Sequence, residues 1–338
     1  MTRTRAVLID APHRLDVVPD QPRPPSAGEA LVRVGWAGIC GSDREVLAGH
    51  RAAAYVRYPL VPGHEWSGTV VEVGPGADAS LVGAKVVGEG FRSCLRCPAC
   101  RRGDTNLCQS GYQETGFTEP GAWADYLTLP ARLLHVLPED ADLRAAAVLE
   151  PAACIASACL KAATVPGERV AVVGAGTLGL LAVQLLAAAH PAELTVVHTR
   201  TSRTELAVEC GATSLVTPDR AGPLTGRFDA VIEAAGAPGT ARLATTLARR
   251  GGRVVLTGLP AEDDDPPTPA EIVLGELTVH SVFGASSNAW QHAVRAFAAG
   301  ALRPGRLVTH EVALDDVAEA FRVLEQERGT VVKVLLRP

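Results

Sequence analysis

Residues 94–108 read CLRCPACRRGDTNLC, with Cys94, Cys97, Cys100 and Cys108 separated by two, two and seven residues. Thiolates bind zinc well, and four of them complete a tetrahedral shell. The two-residue spacers let the first three cysteines fold around one ion, and Gly103 helps the chain return Cys108 as the fourth ligand. A shell filled by four thiolates leaves no position for water or substrate. The expected role is therefore structural: this zinc holds a loop in shape.

A second cluster has the makings of an open site. Cys40 lies in GICGSD (38–43) and His64 in PGHEWSG (62–68), each beside a glycine. Catalytic zinc keeps about three protein ligands and one exchangeable position. Cys40 and His64 suit two of these, and the acidic third is either Glu65 or Glu150 in VLEPAAC (148–154). A cysteine and a histidine so far apart say little alone; they gain weight beside a cofactor motif.

That motif is VAVVGAGTLGLLAV, where Gly174, Gly176 and Gly179 form G-x-G-x-x-G between a β-rich run and a helical run, with Thr177 and Leu178 opening the helix. Such glycines permit a tight turn and close approach of a pyrophosphate, which the helix N-terminus stabilises. NAD-preferring folds place an acidic residue about 20 residues further on. Here the second strand runs into His198, Thr199, Arg200 and Arg203. With no carboxylate to repel a phosphate, Arg200 can bond a 2′-phosphate with Thr199 as hydroxyl partner. NADP(H) is therefore expected over NAD(H); the alternative makes Arg200 and Arg203 solvated loop charges.

The elements that must position these residues fall into two textures. The first third has short β-branched runs broken by Gly and Pro: EALVRVG, GTVVEVG and AKVVGEG. From about residue 152 strands and helices alternate, with candidate strands in ERVAVVGAG, LTVVHTR, FDAVIEAAG, GGRVVLTG and ELTVHSVFG. The expectation is an α/β protein: a β-rich, partly barrel-like domain over 1–152 and a doubly wound parallel sheet over 153–286. Residues 287–338 add a helix, a short strand, a second helix and a final strand. AEDDDPPTPAE (261–271), with its acidic run 262–265, reads as an exposed loop.

A chain of 338 residues fits two domains. Apolar residues make up 47% and charged residues 20%, and the net charge of −5 provides no attraction for nucleic acid or an anionic membrane. Val170–Ala189 is uncharged and long enough to span a bilayer, yet its three glycines favour a buried strand, turn and helix. The N-terminal residues lack a signal-peptide pattern, so a cytoplasmic, reducing setting is expected, without disulfides. Cys154, Cys159 and Cys210 read as ordinary buried thiols.

With CGSD, PGHEWSG, the four-cysteine lobe and the glycine-rich turn in this order, the chain resembles the zinc-dependent medium-chain dehydrogenase/reductase family over nearly its full length. The resemblance implies a catalytic domain with a GroES-like barrel, interrupted by a Rossmann domain, with the C-terminal segment returning to the first. It implies two zinc ions per chain, a small-molecule alcohol or ketone substrate, and a homodimer or homotetramer. Cys40 and His64 match catalytic-zinc ligands; Glu150 matches the third ligand of the polyol and threonine branches. Glu65 matches a glutamate that binds the metal directly or stands behind it. Ser42 matches the hydroxyl that passes a proton from the alcohol. The outer relay position, often histidine in the family, is Glu45, so the proton leaves through Glu45, His50 or water.

Within the family, PGHEWSG, the four-cysteine lobe and GFTEPGAWADYL (116–127) look most like sugar and cyclitol dehydrogenases, especially 2-deoxy-scyllo-inosamine dehydrogenases of antibiotic pathways. The expected reaction is zinc-dependent, NAD(P)-linked oxidation of a secondary alcohol. A threonine-type or general alcohol dehydrogenase or aldehyde reductase is the alternative, and a non-catalytic NADPH-binding zinc protein a remote one.

Overall fold

The computed structural model describes residues 4–259, 265–327 and 329–338. These form two compact units. Unit 1 runs to Glu150 and takes back Ser286–Val294 and Pro304–Pro338; unit 2 is Pro151–Ala285 with Arg295–Arg303. The sequence reading returned all of 287–338 to the first domain. Arg295–Arg303 instead groups with unit 2, where the Arg303 N–H donates to Oε1 of Gln184 at 2.6 Å.

In chain order, unit 1 begins with strands β1 (Arg5–Ala11), β2 (Arg14–Pro19), β3 (Glu29–Gly38), β4 (Trp66–Val73), β5 (Lys85–Gly88), β6 (Tyr126–Pro130) and β7 (Leu134–Val136). Unit 2 holds β8 (Arg169–Val173), β9 (Glu193–Val197), β10 (Ser214–Val216), β11 (Phe228–Glu233), β12 (Ala248–Leu256) and β13 (Thr278–Ser281). Strands β14 (Val308–Ala313) and β15 (Lys333–Arg337) return to unit 1. The helices that matter below are α1 (Gly41–Ala48), α2 (Pro98–Arg101), α3 (Leu143–Ala146), α4 (Leu149–Ala162) and α5 (Thr177–Ala187).

Unit 1 is built on a seven-stranded sheet in the order β14-β15-β3-β4-β5-β7, with β6 also paired to β3 and β1-β2 as a separate hairpin. All pairs except β14–β15 are antiparallel. Alternation along β3 turns Ala30, Val32 and Val34 into a core with Trp66, Leu127 and Leu129. Trp123 is fully buried there, and its indole N–H donates to Gly38 O at 3.1 Å.

Unit 2 is a six-stranded parallel sheet, β10-β9-β8-β11-β12-β13. The order runs outward in both directions from β8, so the sheet is doubly wound. The sequence showed five of these strands; β10 escaped because three residues carry no periodicity. Buried β8, a turn and buried α5 account for the uncharged stretch at 170–189, and no helix among the described residues is long and apolar enough to cross a membrane. Cys210 is buried, and burial pushes the Cys159 thiol up to about 12, as the buried-thiol reading expects; Cys154 is only partly buried, a correction to it. Residues 262–264 of the acidic run lie outside the described residues; Asp265 pairs with Arg242 at 3.0 Å.

Candidate metal centres and dinucleotide turn

The ligand atoms of Cys40, His64 and Glu65 lie within 4.8 Å of one another. Three elements bring them there. Cys40 caps the N-terminus of α1, just past the end of β3. His64 and Glu65 immediately precede β4, the partner of β3. Gly38 is needed for this approach: a Cβ there would stand 2.1 Å from Oε2 of Glu65.

Asp43, three residues into α1 and fully buried, ties the cluster together. Its Oδ2 accepts from Cys40 N at 2.8 Å, and its Oδ1 faces Nδ1 of His64 at 3.5 Å. Nε2 of His64 lies 3.5 Å from Ser42 Oγ. The His64 ring also packs on Phe117 (centroids 4.7 Å apart), and the Arg51 guanidinium covers Phe117 at 3.8 Å. Burial disfavours the imidazolium, but Asp43 and Cys40 outweigh it and raise the His64 pKa well above its ordinary value.

Lys333 completes the surroundings. In the β15–β3 pairing Leu335 stands opposite Gly38, so Lys333 falls beyond the end of β3. Its Nζ donates to Glu65 Oε2 at 2.5 Å and to Ile39 O at 3.1 Å. Burial pulls its pKa down, yet Glu65 and Cys40 more than compensate, and the net shift is upward. The other Glu65 oxygen, Oε1, is buried without a hydrogen-bond partner. A soft sulfur, an imidazole nitrogen and an orphaned carboxylate oxygen form a donor set that suits zinc with a position to spare.

Glu150 opens α4, partly exposed, and does not join this group of donors. Of the two acids left open by the sequence, Glu65 is the one brought to Cys40 and His64. Glu45 is exposed on α1 and lines a groove of about 590 Å³ together with His50.

Cys94, Cys97, Cys100 and Cys108 form a second group within the same 4.8 Å limit. Cys94 Sγ and Cys100 Sγ are 4.0 Å apart; ligands about 2.3 Å from one tetrahedral ion stand roughly 3.8 Å apart. Main-chain N–H groups of Cys94, Cys97 and Cys100 point at neighbouring sulfurs at 3.3–3.5 Å, the last as α2 begins. A Ser110 hydrogen bond and the Arg96 and Cys97 N–H groups lower the Cys94 thiol to about 5, whereas burial pushes Cys100 up to about 12.

In unit 2 the glycine turn joins β8 to α5. A Cβ on Gly179 would stand 2.0 Å from Gly174 O, whereas one on Gly176 would meet nothing within 4 Å. No side chain caps α5 at Gly176. Open space before an uncapped helix N-terminus is what a pyrophosphate requires. Thr177 and Leu178 are the first residues of α5, as expected. Thr199 and Arg200 are exposed beyond β9, while His198 is buried and burial lowers its pKa. Arg203 is neither solvated nor reaching outward: it is buried, and its Nη1 donates to Ala175 O at 2.7 Å. Burial and the charge of Arg200 lower its pKa to about 10.

Sequence reasoning missed Asp43 as a partner of His64, and it missed Lys333. A Cys-x-x-Asp at a helix start was the signal for the first; a lysine inside the apolar run VVKVLL was the signal for the second.

The alcohol dehydrogenase GroES-like domain matches residues 26–139, and the zinc-binding dehydrogenase domain matches 177–299. A sorbitol dehydrogenase of Halalkalibacterium halodurans is 31% identical, with 95% of each chain covered. A zinc-binding dehydrogenase from Sinorhizobium meliloti, solved with NADP, is 32% identical with a TM-score of 0.91 and full coverage of both chains. An alcohol dehydrogenase (rspB) from Escherichia coli CFT073, solved with NADH, is 29% identical, again with a TM-score of 0.91 and full coverage. With both domain models matched in order and relatives aligned end to end, the chain belongs to the zinc-dependent medium-chain alcohol/polyol dehydrogenase family and is an oxidoreductase.

Proposed function

We propose that the protein oxidises a secondary alcohol of a polyol, sugar or aminocyclitol such as 2-deoxy-scyllo-inosamine to the ketone, or runs the reverse reaction, using zinc and NADP(H). The observation that carries the reading is the meeting of Cys40, His64 and Glu65, whose Oε1 has no hydrogen-bond partner, in a chain that also holds an open glycine turn. The aminocyclitol rests on the GFTEPGAWADYL and PGHEWSG segments.

When bound, the metal would supply Lewis acidity and the nicotinamide cofactor a hydride acceptor. Cys40, His64 and Glu65 would hold the metal. Asp43 Oδ1, 3.5 Å from His64 Nδ1, favours a proton on that nitrogen and would orient the ring with Nε2 free for the metal. Ser42, beside Nε2, receives the alcohol proton, and Glu45, His50 or water carries it to solvent. The four-cysteine lobe holds a second zinc without an open position. Arg200 and Thr199 receive the 2′-phosphate, and Arg203 braces the glycine turn from Ala175. The same reading includes a cytoplasmic homodimer or homotetramer, which light scattering on a sizing column tests.

Initial rates of NADP⁺ and NAD⁺ reduction across cyclitols, aminocyclitols, sugar alcohols, threonine and simple alcohols test the reaction. Preferred turnover of an aminocyclitol with NADP⁺ is expected. Turnover of threonine or simple alcohols alone would discard the cyclitol substrate, and an unchanged NADP⁺/NAD⁺ ratio in Arg200→Ala would discard the phosphate role.

A further inference from the structure

Glu233 ends β11 with its side chain buried, 2% exposed. Among the described residues, every hydrogen bond to its carboxylate comes from the main chain. Oε1 accepts from Ala235 N at 2.7 Å and Gly236 N at 2.8 Å; Oε2 accepts from Gly258 N at 3.2 Å. No cation pairs with it among the described residues. A buried charge without a counter-ion is costly, so three main-chain donors must be spent on holding it. The same contacts, seen from the loops, fix the loops.

Those loops are two of the connections at the carboxyl ends of adjacent parallel strands. Residues 234–236 follow β11 and 257–259 follow β12, and they are in close contact. A Cβ on Gly258 would stand 2.3 Å from Gly236 N and 2.7 Å from Glu233 Oε2; one on Gly236, at φ +59°, would stand 3.0 Å from Leu259 O. Thr257 adds two bonds to Glu233 O, from its N–H at 3.0 Å and its hydroxyl at 2.7 Å. The glycine turn packs against the same assembly, because a Cβ on Gly174 would stand 3.0 Å from Ala235 N. Strand order reverses at β8, whose neighbours are β9 and β11. Doubly wound sheets take their ligands outside the carboxyl ends of the strands at such a reversal. Glu233 therefore sits where the backbone must be in register with a ligand.

We infer that Glu233 is a positioning residue for the dinucleotide: its carboxylate locks loops 234–236 and 257–259, with the turn at Gly174, into the conformation that receives the cofactor. This rests on the reading of unit 2 as the nicotinamide-cofactor unit. Glutamine at 233 keeps one acceptor for Ala235 and Gly236 but turns an N–H toward Gly258 N–H, or the reverse. The loops then separate while the sheet below them stays intact.

The test is titration of the zinc-loaded protein with NADPH and with NADH, followed by nicotinamide fluorescence, for wild type, Glu233→Gln and Phe228→Leu. Phe228 is buried at the opposite, N-terminal end of β11 and reports general loss of stability in the same unit. Glu233→Gln should weaken cofactor binding about tenfold or more, raise the cofactor KM, and leave zinc content and kcat at saturating cofactor near wild type. Phe228→Leu should leave the dissociation constant unchanged. Wild-type binding by Glu233→Gln, or equal weakening by Phe228→Leu, would overturn the inference alone. Wild type that binds neither nucleotide would overturn the cofactor reading and the inference with it. Should Glu233→Gln not fold, hydrogen exchange on the wild type decides: amides of 235, 236 and 258 should gain protection together when NADPH binds, and no change there would overturn the inference.

Discussion

Lys333 Nζ and Glu65 Oε2 stand 2.5 Å apart, 268 residues distant in sequence, with neither side chain more than 4% exposed. The ammonium occupies one carboxylate oxygen and leaves the other, Oε1, buried without a hydrogen-bond partner in a side chain whose donor lies within 4.8 Å of those of Cys40 and His64. Breaking a buried pair from one side strands the surviving charge, at a cost of about 3–5 kcal/mol. Lys333→Met should therefore destabilise the metal-stripped protein by that amount and the zinc-loaded protein by less, because the metal supplies a replacement positive charge to Glu65. The double variant Lys333→Met/Glu65→Gln should lose less than Lys333→Met alone. Denaturant unfolding of both variants, loaded and stripped, measures each difference; equal losses with and without metal would contradict the arrangement.

Asp43 holds a main-chain N–H of one donor residue and faces the imidazole of another. Partners that orient a ligating histidine are commonly worth about 10–100-fold in metal affinity. Asp43→Asn should lose zinc to a competing chelator about that much more readily while its circular dichroism stays native. Retention equal to wild type would show that the 3.5 Å contact does not orient the ring.

The two cysteine groups should separate by phenotype. Cys40→Ala should abolish turnover with the fold intact. Cys97→Ala leaves three thiols around the lobe and should lower the melting temperature and zinc content, since metal binding there is coupled to folding. Zinc per chain by mass spectrometry, alongside melting curves, distinguishes the two; full activity in Cys40→Ala would remove the proposed mechanism.

Acid sensitivity has one clear source in unit 1. Arg23 forms a two-pronged bond to Glu29 at 2.5 and 2.7 Å, and this bond, with help from Ser26 N, lowers the Glu29 carboxyl from 4.5 to about 2. A depressed carboxylate pKa stabilises the fold above its unfolded value and loses that contribution as pH falls through the folded value. The loss should thus fall between pH 4.5 and about 2. Because Arg23 is half exposed, screening limits it to about 1 kcal/mol. Arg23→Gln should be less stable than wild type at pH 6 and converge with it near pH 2, as read by urea unfolding; a constant gap would contradict the pair.

Local chemistry made much of the site readable from residues alone. Two-residue spacers between Cys94, Cys97 and Cys100 bring thiols together with little help from the rest of the chain, and G-x-G-x-x-G after a β-rich run is itself a strand–turn–helix. Both depend on backbone geometry within a few residues, so spacing is enough to determine them. Positions fixed across the sheet are different. The β15–β3 pairing decides that Lys333 meets Glu65, and the entry into β4 decides that Glu65, rather than Glu150, joins Cys40 and His64. Burial decides that Arg203 braces Ala175 and that Glu233 clasps two loops. Sequence alone determined which residue types are present and which near neighbours they can reach. Strand register and desolvation, which depend on partners from a few to 268 residues away, decided which of these groups meet.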